Sequence, residues 1–128
     1  MIRVTVAALA LLSLAGCGQL RADEVAFHVL NTADMAQSIN AISRDCFHEG
    51  DAFTSRILGD KPSSGEFALF GAAVSLGFHA FNRLDYVQER PKLRLAVNLL
   101  AIGAKGWQVA HNHDIGMRVS GSNPGCAP

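Results

Sequence analysis

The chain has 128 residues, of which 49% are hydrophobic, with eleven basic and eleven acidic side chains. Balanced charge leaves no basic field to attract a polyanion, so a nucleic-acid partner is excluded. The length fits one domain.

The first residues read MIRVTVAALALLSLAGCGQ. Arg3 and the free amine form a positive start, and Val4 to Ala15 is an apolar run too short to span a bilayer comfortably, the pattern of an export signal. Leu14-Ala15-Gly16-Cys17 resembles the lipobox of bacterial lipoproteins. The resemblance implies cleavage before Cys17, a signal peptide at 1–16, a diacylglycerol on the Cys17 thiol, and membrane lipid as a partner. Gly18 and Gln19 follow the cysteine, with no aspartate. Among lipoproteins of Gram-negative bacteria that implies an anchor facing the periplasm, in the outer membrane unless helices hold the protein in the inner one.

Cys46 and Cys126 then remain, an even pair in an oxidising compartment, which makes them a candidate disulfide. Residues 17–128 keep ten basic and eleven acidic side chains. They form the expected single helical domain.

Three stretches carry a helical period. In the first, about 24–44, Val25, His28, Thr32, Met35, Ile39, Ile42 and Cys46 recur at steps of three and four, one stripe of an amphipathic helix. Asn31, Gln37, Ser38 and Asn40 fall on the other face. Asp23 and Glu24 suit the positive end of the helix dipole. Asp34, between Ala33 and Met35, needs an Arg or Lys partner wherever it is buried.

A polar connector, 45–66, follows, rich in turn formers, with one helical turn at FTSRIL. The second helix, about 66–83, is strongly apolar. Phe70, Val74, Phe78 and Phe81 make a bulky ridge, and Ala68, Ala72, Ser75 and His79 a smaller-residue face. Gly71/Ser75 and Ala73/Gly77 are small pairs four apart, which let helix backbones approach closely. A second connector, 83–94, is the most basic. The third helix, about 93–113, places Val97, Leu100, Ala104, Trp107, His111 and Asp114 on one face, before an irregular tail over 114–128.

The expectation is an all-α, up-down three-helix arrangement, with His28 level with His79. Two versions stay open. Helices two and three cross a membrane, which suits the basic connector between them. Alternatively they pack outside the bilayer, which suits the short apolar run of helix two, about 22 Å at 1.5 Å per residue, and Lys105 in helix three.

HNHD at 111–114 invites a metal reading. His48, Glu49, His111, His113 and Asp114 have ligand chemistry suited to zinc or copper, though without a specific spacing motif. On a continuous helix His111 and His113 diverge by about 200°, so they can share an ion only if the helix ends near Asn112. Gly116 offers such a stop. The competing reading is a polar helix end whose histidines favour the dipole. His28 and His79 are either polar groups at a helix interface or ligands, and no CxxCH haem motif accompanies them. No Ser/His/Asp order, phosphate loop or carboxylate pair stands out, so an enzyme is the least supported class.

NTADMAQSI, HEGDAFTSRILGDKPSSGEFALFG and WQVAHNHDIG, together with His79, resemble a loose group of short uncharacterised bacterial envelope proteins. The matching positions are Asp34, Glu49, Leu58-Gly59, Pro62-Ser63, His79, Asn112 and Gly116, across about 31–116. The Asn-Pro of that group is replaced by Gly50-Asp51-Ala52 after Glu49. The resemblance implies hydrophobic helices at a membrane, marks Asp34, His79 and Asn112 as functional polar residues, and supplies no activity. The combined expectation is a cell-envelope lipoprotein with a structural or interaction role, no assigned cofactor and an envelope protein as partner; the alternative is a periplasmic protein that binds zinc or copper.

Overall fold

The computed structural model describes residues 20–42 and 52–121. Cys17, Cys46, His48, Glu49 and Cys126 lie outside the described residues. Within them the chain is all-helical: α1 (Ala22–Ile42), α2 (Ala52–Leu58), α3 (Ser64–Arg83), α4 (Asp85–Gln88) and α5 (Pro91–Asp114).

Local chemistry sets these limits. Asp23 and Glu24 occupy the first turn of α1, where carboxylates meet the unpaired amides. Before α3, the Ser63 hydroxyl accepts from the Glu66 amide while the Glu66 carboxylate accepts from the Ser63 amide, a capping box. That reciprocal bonding holds the Glu66 carboxyl below its usual range. Pro91 opens α5, where its missing N–H costs nothing. At the other end Gly116, at φ 91°, turns the chain left-handed. Its amide donates to His113 and that of Met117 to Asn112, a Schellman closure with Met117 buried beneath it.

The three long helices meet through α1. Glu24 reaches Arg83 and Asn31 reaches Gly71, so α1 and α3 run antiparallel. Asp23 meets Asn98, Asp34 meets Lys105 and Gln37 meets Val109, so α1 and α5 run parallel. The close approach to α3 depends on Gly71: a Cβ there would stand 2.6 Å from the Met35 sulfur and 3.2 Å from Met35 Cγ. Of the small pairs, Gly71/Ser75 faces α1, where Asn31 donates to both the Gly71 carbonyl and the Ser75 hydroxyl. Ala73 and Gly77 face outward.

The buried faces differ from the expected ones. On α1, Asn31, Gln37 and Ser38, assigned to the outer face, are buried, while Val25 and Val29 are exposed. On α5 the Leu100, Trp107, His111 face points outward, with Leu100 74% and Trp107 68% exposed. Asn98 takes the inward position. The cause is the polar bonding between helices, which outweighs the area term at these positions. Among the described residues the buried hydrophobic side chains are Phe27, Ala41, Phe67, Val87 and Met117.

No helix among the described residues is long and apolar enough to cross a membrane. The membrane-crossing version of helices two and three therefore finds no span in α3 or α5. Glu66, His79, Asn82 and Arg83 interrupt the apolar run of α3, and Lys92, Arg94 and Lys105 that of α5.

Gly71 and Gly77 give a paired test of the packing. Gly77→Ala, with nothing within 4 Å of the new methyl, should raise stability by about 0.8–1 kcal/mol through helix propensity. Gly71→Ala should lose that gain and about 1–3 kcal/mol more through overpacking against Met35. Urea unfolding of the two variants checks the difference.

Candidate functional site: a polar seam between the long helices

The residues at the helix contacts are polar at the helical period. On α1 these are Glu24, His28, Asn31, Asp34 and Ser38; on α5, Asn98, Lys105 and Asn112 stand seven apart. Such spacing puts each set along one face of its helix; Glu24, His28 and Asn31 meet α3, and Asp34 meets Lys105 and Asn112 of α5.

Near the start of α1, Glu24 is fully buried. Its carboxylate accepts two bonds from Arg83 of α3, at 3.1 and 3.3 Å, and the His79 Nδ1 lies 3.6 Å away. The bidentate fork offsets the desolvation of the carboxylate. Beside it, Asn98 joins three helices: its amide donates to Asp23 on α1 at 2.7 Å and to Asn82 on α3 at 2.9 Å. Asn82 passes its own amide hydrogen to the Phe78 carbonyl. Both asparagines are 0% exposed. Burial works to raise the Asp23 carboxyl, but the Asn98 bond and Arg21 together hold it below its ordinary range.

One turn further in, His28 packs edge-on against the pair Phe27 and Phe78, whose rings stack with centres 3.8 Å apart. Neither ring nitrogen has a hydrogen-bond partner, and His79 Nδ1 has none either. Burial pushes the His28 imidazolium toward proton loss; Glu24 opposes this in part and His79 adds to it.

Toward the far end, Asp34 accepts from Lys105 Nζ at 2.6 Å and from Asn112 at 2.9 Å. Gln37 donates to the Val109 carbonyl, and Asn40 to the carbonyls of Arg118 and Gly121. Asp34 and Asn112 thus meet each other, and His79 belongs to the Glu24 end.

The histidine group at the end of α5 is arranged differently. α5 continues through Asp114, so His111 and His113 keep their divergent directions. His111 stacks on Trp107 with ring centres 5.1 Å apart. The His113 carbonyl accepts from Arg118, and Asp114 is exposed. Among the described residues no group of three or more His, Cys, Asp or Glu side chains could hold a metal ion. The zinc or copper reading is thus without its His111/His113 pair, while its His48 and Glu49 lie outside the described residues.

Composition and local pattern do not mark Glu24, Arg83, Asn82, Asn98 and Lys105 as site residues. The seven-residue recurrence of Asn98, Lys105 and Asn112 was the available signal.

No known protein family, curated protein or solved structure matches the chain. Its role must therefore be read from its own chemistry.

Two outcomes follow for the seam. Arg83→Met leaves the buried Glu24 carboxylate without its main counter-charge and should cost about 3 kcal/mol, whereas Glu24→Leu combined with Arg83→Met should recover most of that loss. Denaturant midpoints of the three proteins decide it; equal losses in the single and double variants would contradict the pairing. For His28, the folded pKa lies below the ordinary 6.5. The unfolded chain then binds more protons in the window below 6.5, so stability is full above that pH and falls as pH drops through it. His28→Leu should flatten this slope in Tm against pH and, by removing two unpartnered nitrogens, raise Tm at neutral pH.

Proposed function

We propose that the chain is a small lipoprotein of the cell envelope, acylated at Cys17 and facing the periplasm, with a structural or interaction role. The three long helices then form an up-down arrangement whose links to one another are polar and whose outer faces are apolar. The observation that carries this reading is the inverted distribution of side chains. Glu24, Asn82 and Asn98 are 0% exposed, while Leu69 and Leu100 are each 74% exposed. Leu76, Leu99 and Trp107 share the outward exposure. Large apolar groups left outside a small helical domain mark surfaces that meet lipid or another protein.

Nothing in the seam resembles a reaction centre open to a substrate. Its carboxylates are held by Arg83, Lys105 and asparagine amides, which suits holding helices in register. The lipobox-like Leu14-Ala15-Gly16-Cys17 supplies the anchor. By the resemblance to lipoproteins of Gram-negative bacteria, Gly18 rather than aspartate after the cysteine favours the outer membrane as its destination.

Labelled palmitate should enter the wild-type chain in growing cells and fail to enter Cys17→Ala, and the labelled protein should sediment with outer membranes on a density gradient. Absence of label from the wild type, or equal label in both, would overturn the anchor.

A further inference from the structure

The start of α1, the end of α3, α4 and the start of α5 lie at one end of the molecule. Two contacts fix this: Glu24 to Arg83 and Asp23 to Asn98. α4 bridges α3 and α5 at that same end. There, Leu84 (53%), Tyr86 (61%) and Leu93 (40%) are exposed. Arg90, Lys92 and Arg94 accompany them. Arg90 lies over the Tyr86 ring, 3.7 Å from its centre, and none of the three cations forms an ion pair with another described residue. Asp85 and Glu89 are also present, so this segment has a surplus of one positive charge, concentrated between residues 90 and 94.

We propose that this end of the molecule docks on a bilayer surface containing anionic lipid. Leu84 and Leu93 enter the boundary between headgroups and acyl chains. Tyr86 sits at the level of the headgroups, with its apolar ring inward and its hydroxyl in water. Arg90, Lys92 and Arg94 meet lipid phosphates, each such cation adding to the attraction.

A second line of argument comes from where the chain enters. Leu20 leads directly into α1 at this end. Four residues separate Cys17 from Ala22, so five Cα steps span at most about 18 Å of extended chain. An acyl group on Cys17 therefore keeps this end of the molecule, rather than the Asn40–Arg118 end, beside the membrane. The orientation rests on the acylated-Cys17 reading; the apolar and basic surface itself does not.

The helices then stand away from the membrane. Trp107 lies sixteen residues along α5 from Pro91, about 24 Å at 1.5 Å per residue. The chain has a single Trp and a single Tyr, which makes depth measurable. The full-length protein, purified from membranes, is reconstituted into vesicles of phosphatidylcholine mixed with phosphatidylglycerol, with bromine on the upper acyl chains as a fluorescence quencher. In Tyr86→Trp combined with Trp107→Phe, the one tryptophan should be quenched. In the wild type, Trp107 should not be. Adding Lys92→Gln and Arg94→Gln should abolish quenching at position 86. Equal quenching of Trp107 would mean that α5 lies along the bilayer and overturns the docking mode; absence of quenching at position 86 overturns it as well, including the case in which another protein covers the surface. Should the double variant not fold by far-UV circular dichroism, trypsin cleavage after Lys92 and Arg94 of the wild type decides instead. Anionic vesicles should suppress it relative to phosphatidylcholine alone, and unchanged cleavage overturns the proposal.

The mass of the Cys17 peptide keeps the two readings apart. An acylated chain without quenching at position 86 defeats the docking surface and leaves the anchor. An unacylated chain that is still quenched by added vesicles defeats the anchor and leaves the docking surface.

Discussion

Asn98 is the point on which the arrangement of helices turns, because one side-chain amide satisfies acceptors on two other helices at once. Its donors reach Asp23 on α1 and Asn82 on α3, so α5 cannot rotate or slide by a residue without breaking both bonds. A buried polar group costs free energy unless it is bonded, and that asymmetry turns a modest attraction into a strong preference for one register. Glu24 with Arg83, Asn31 with Gly71, and Asp34 with Lys105 repeat the same logic along α1. An apolar seam tolerates slippage with little penalty, whereas this one does not. The register is held by polar matching, with Phe27, Phe67 and Val87 filling the spaces between.

That choice determines the surface. A helix has a limited width of buried face, and positions given to Asn, Asp, Glu and His are unavailable to Leu and Trp. The large apolar side chains of α3 and α5 are consequently displaced outward, and the core they might have formed is replaced by close backbone contact at Gly71 and by amide bonds. The seam is not fully satisfied, since Asn98 Oδ1, Gln37 Oε1 and both nitrogens of His28 lack partners. These atoms lower stability relative to an apolar substitute, which makes His28 in particular a residue whose burial is not explained by packing alone. Its aromatic surroundings favour the neutral ring, and Glu24 one turn away opposes that preference only partly.

How far the sequence discloses this depends on which signal is read. Periodicity places the three long helices to within two or three residues, because amphipathic spacing and the turn formers at Gly59, Pro62 and Gly116 are local properties. Helix direction along the chain is also local, as Asp23, Glu24, Pro91 and the Ser63–Glu66 pair show. Which face turns inward is not local. The usual assumption that apolar stripes are buried assigns Val25 and Leu100 to the interior and Asn31 and Gln37 to water, and it fails since the partners of those amides are carbonyls on other helices. Asp34 was legible as a carboxylate requiring a cation, but nothing near it in the chain identifies Lys105, seventy-one residues away. His111 and His113 gave the most conspicuous pattern and the least structure, because α5 does not end where their convergence would need it to.

The two ends of the seam also differ in what they can respond to. At the Asp34 end, Lys105 and Asn112 compensate the carboxylate from α5 alone, so the contact ties one pair of helices. At the Glu24 end, α1, α3 and α5 all contribute, and two histidines stand within the same cluster without hydrogen bonds to their available nitrogens. Protonating His28 would place a buried cation edge-on to the stacked Phe27 and Phe78 rings, with Glu24 favouring the charge and His79 opposing it. The same end carries the exposed Leu84, Tyr86 and Leu93. The Glu24–Arg83 link therefore joins the buried charge of the seam to the end of α3 that leads into this surface.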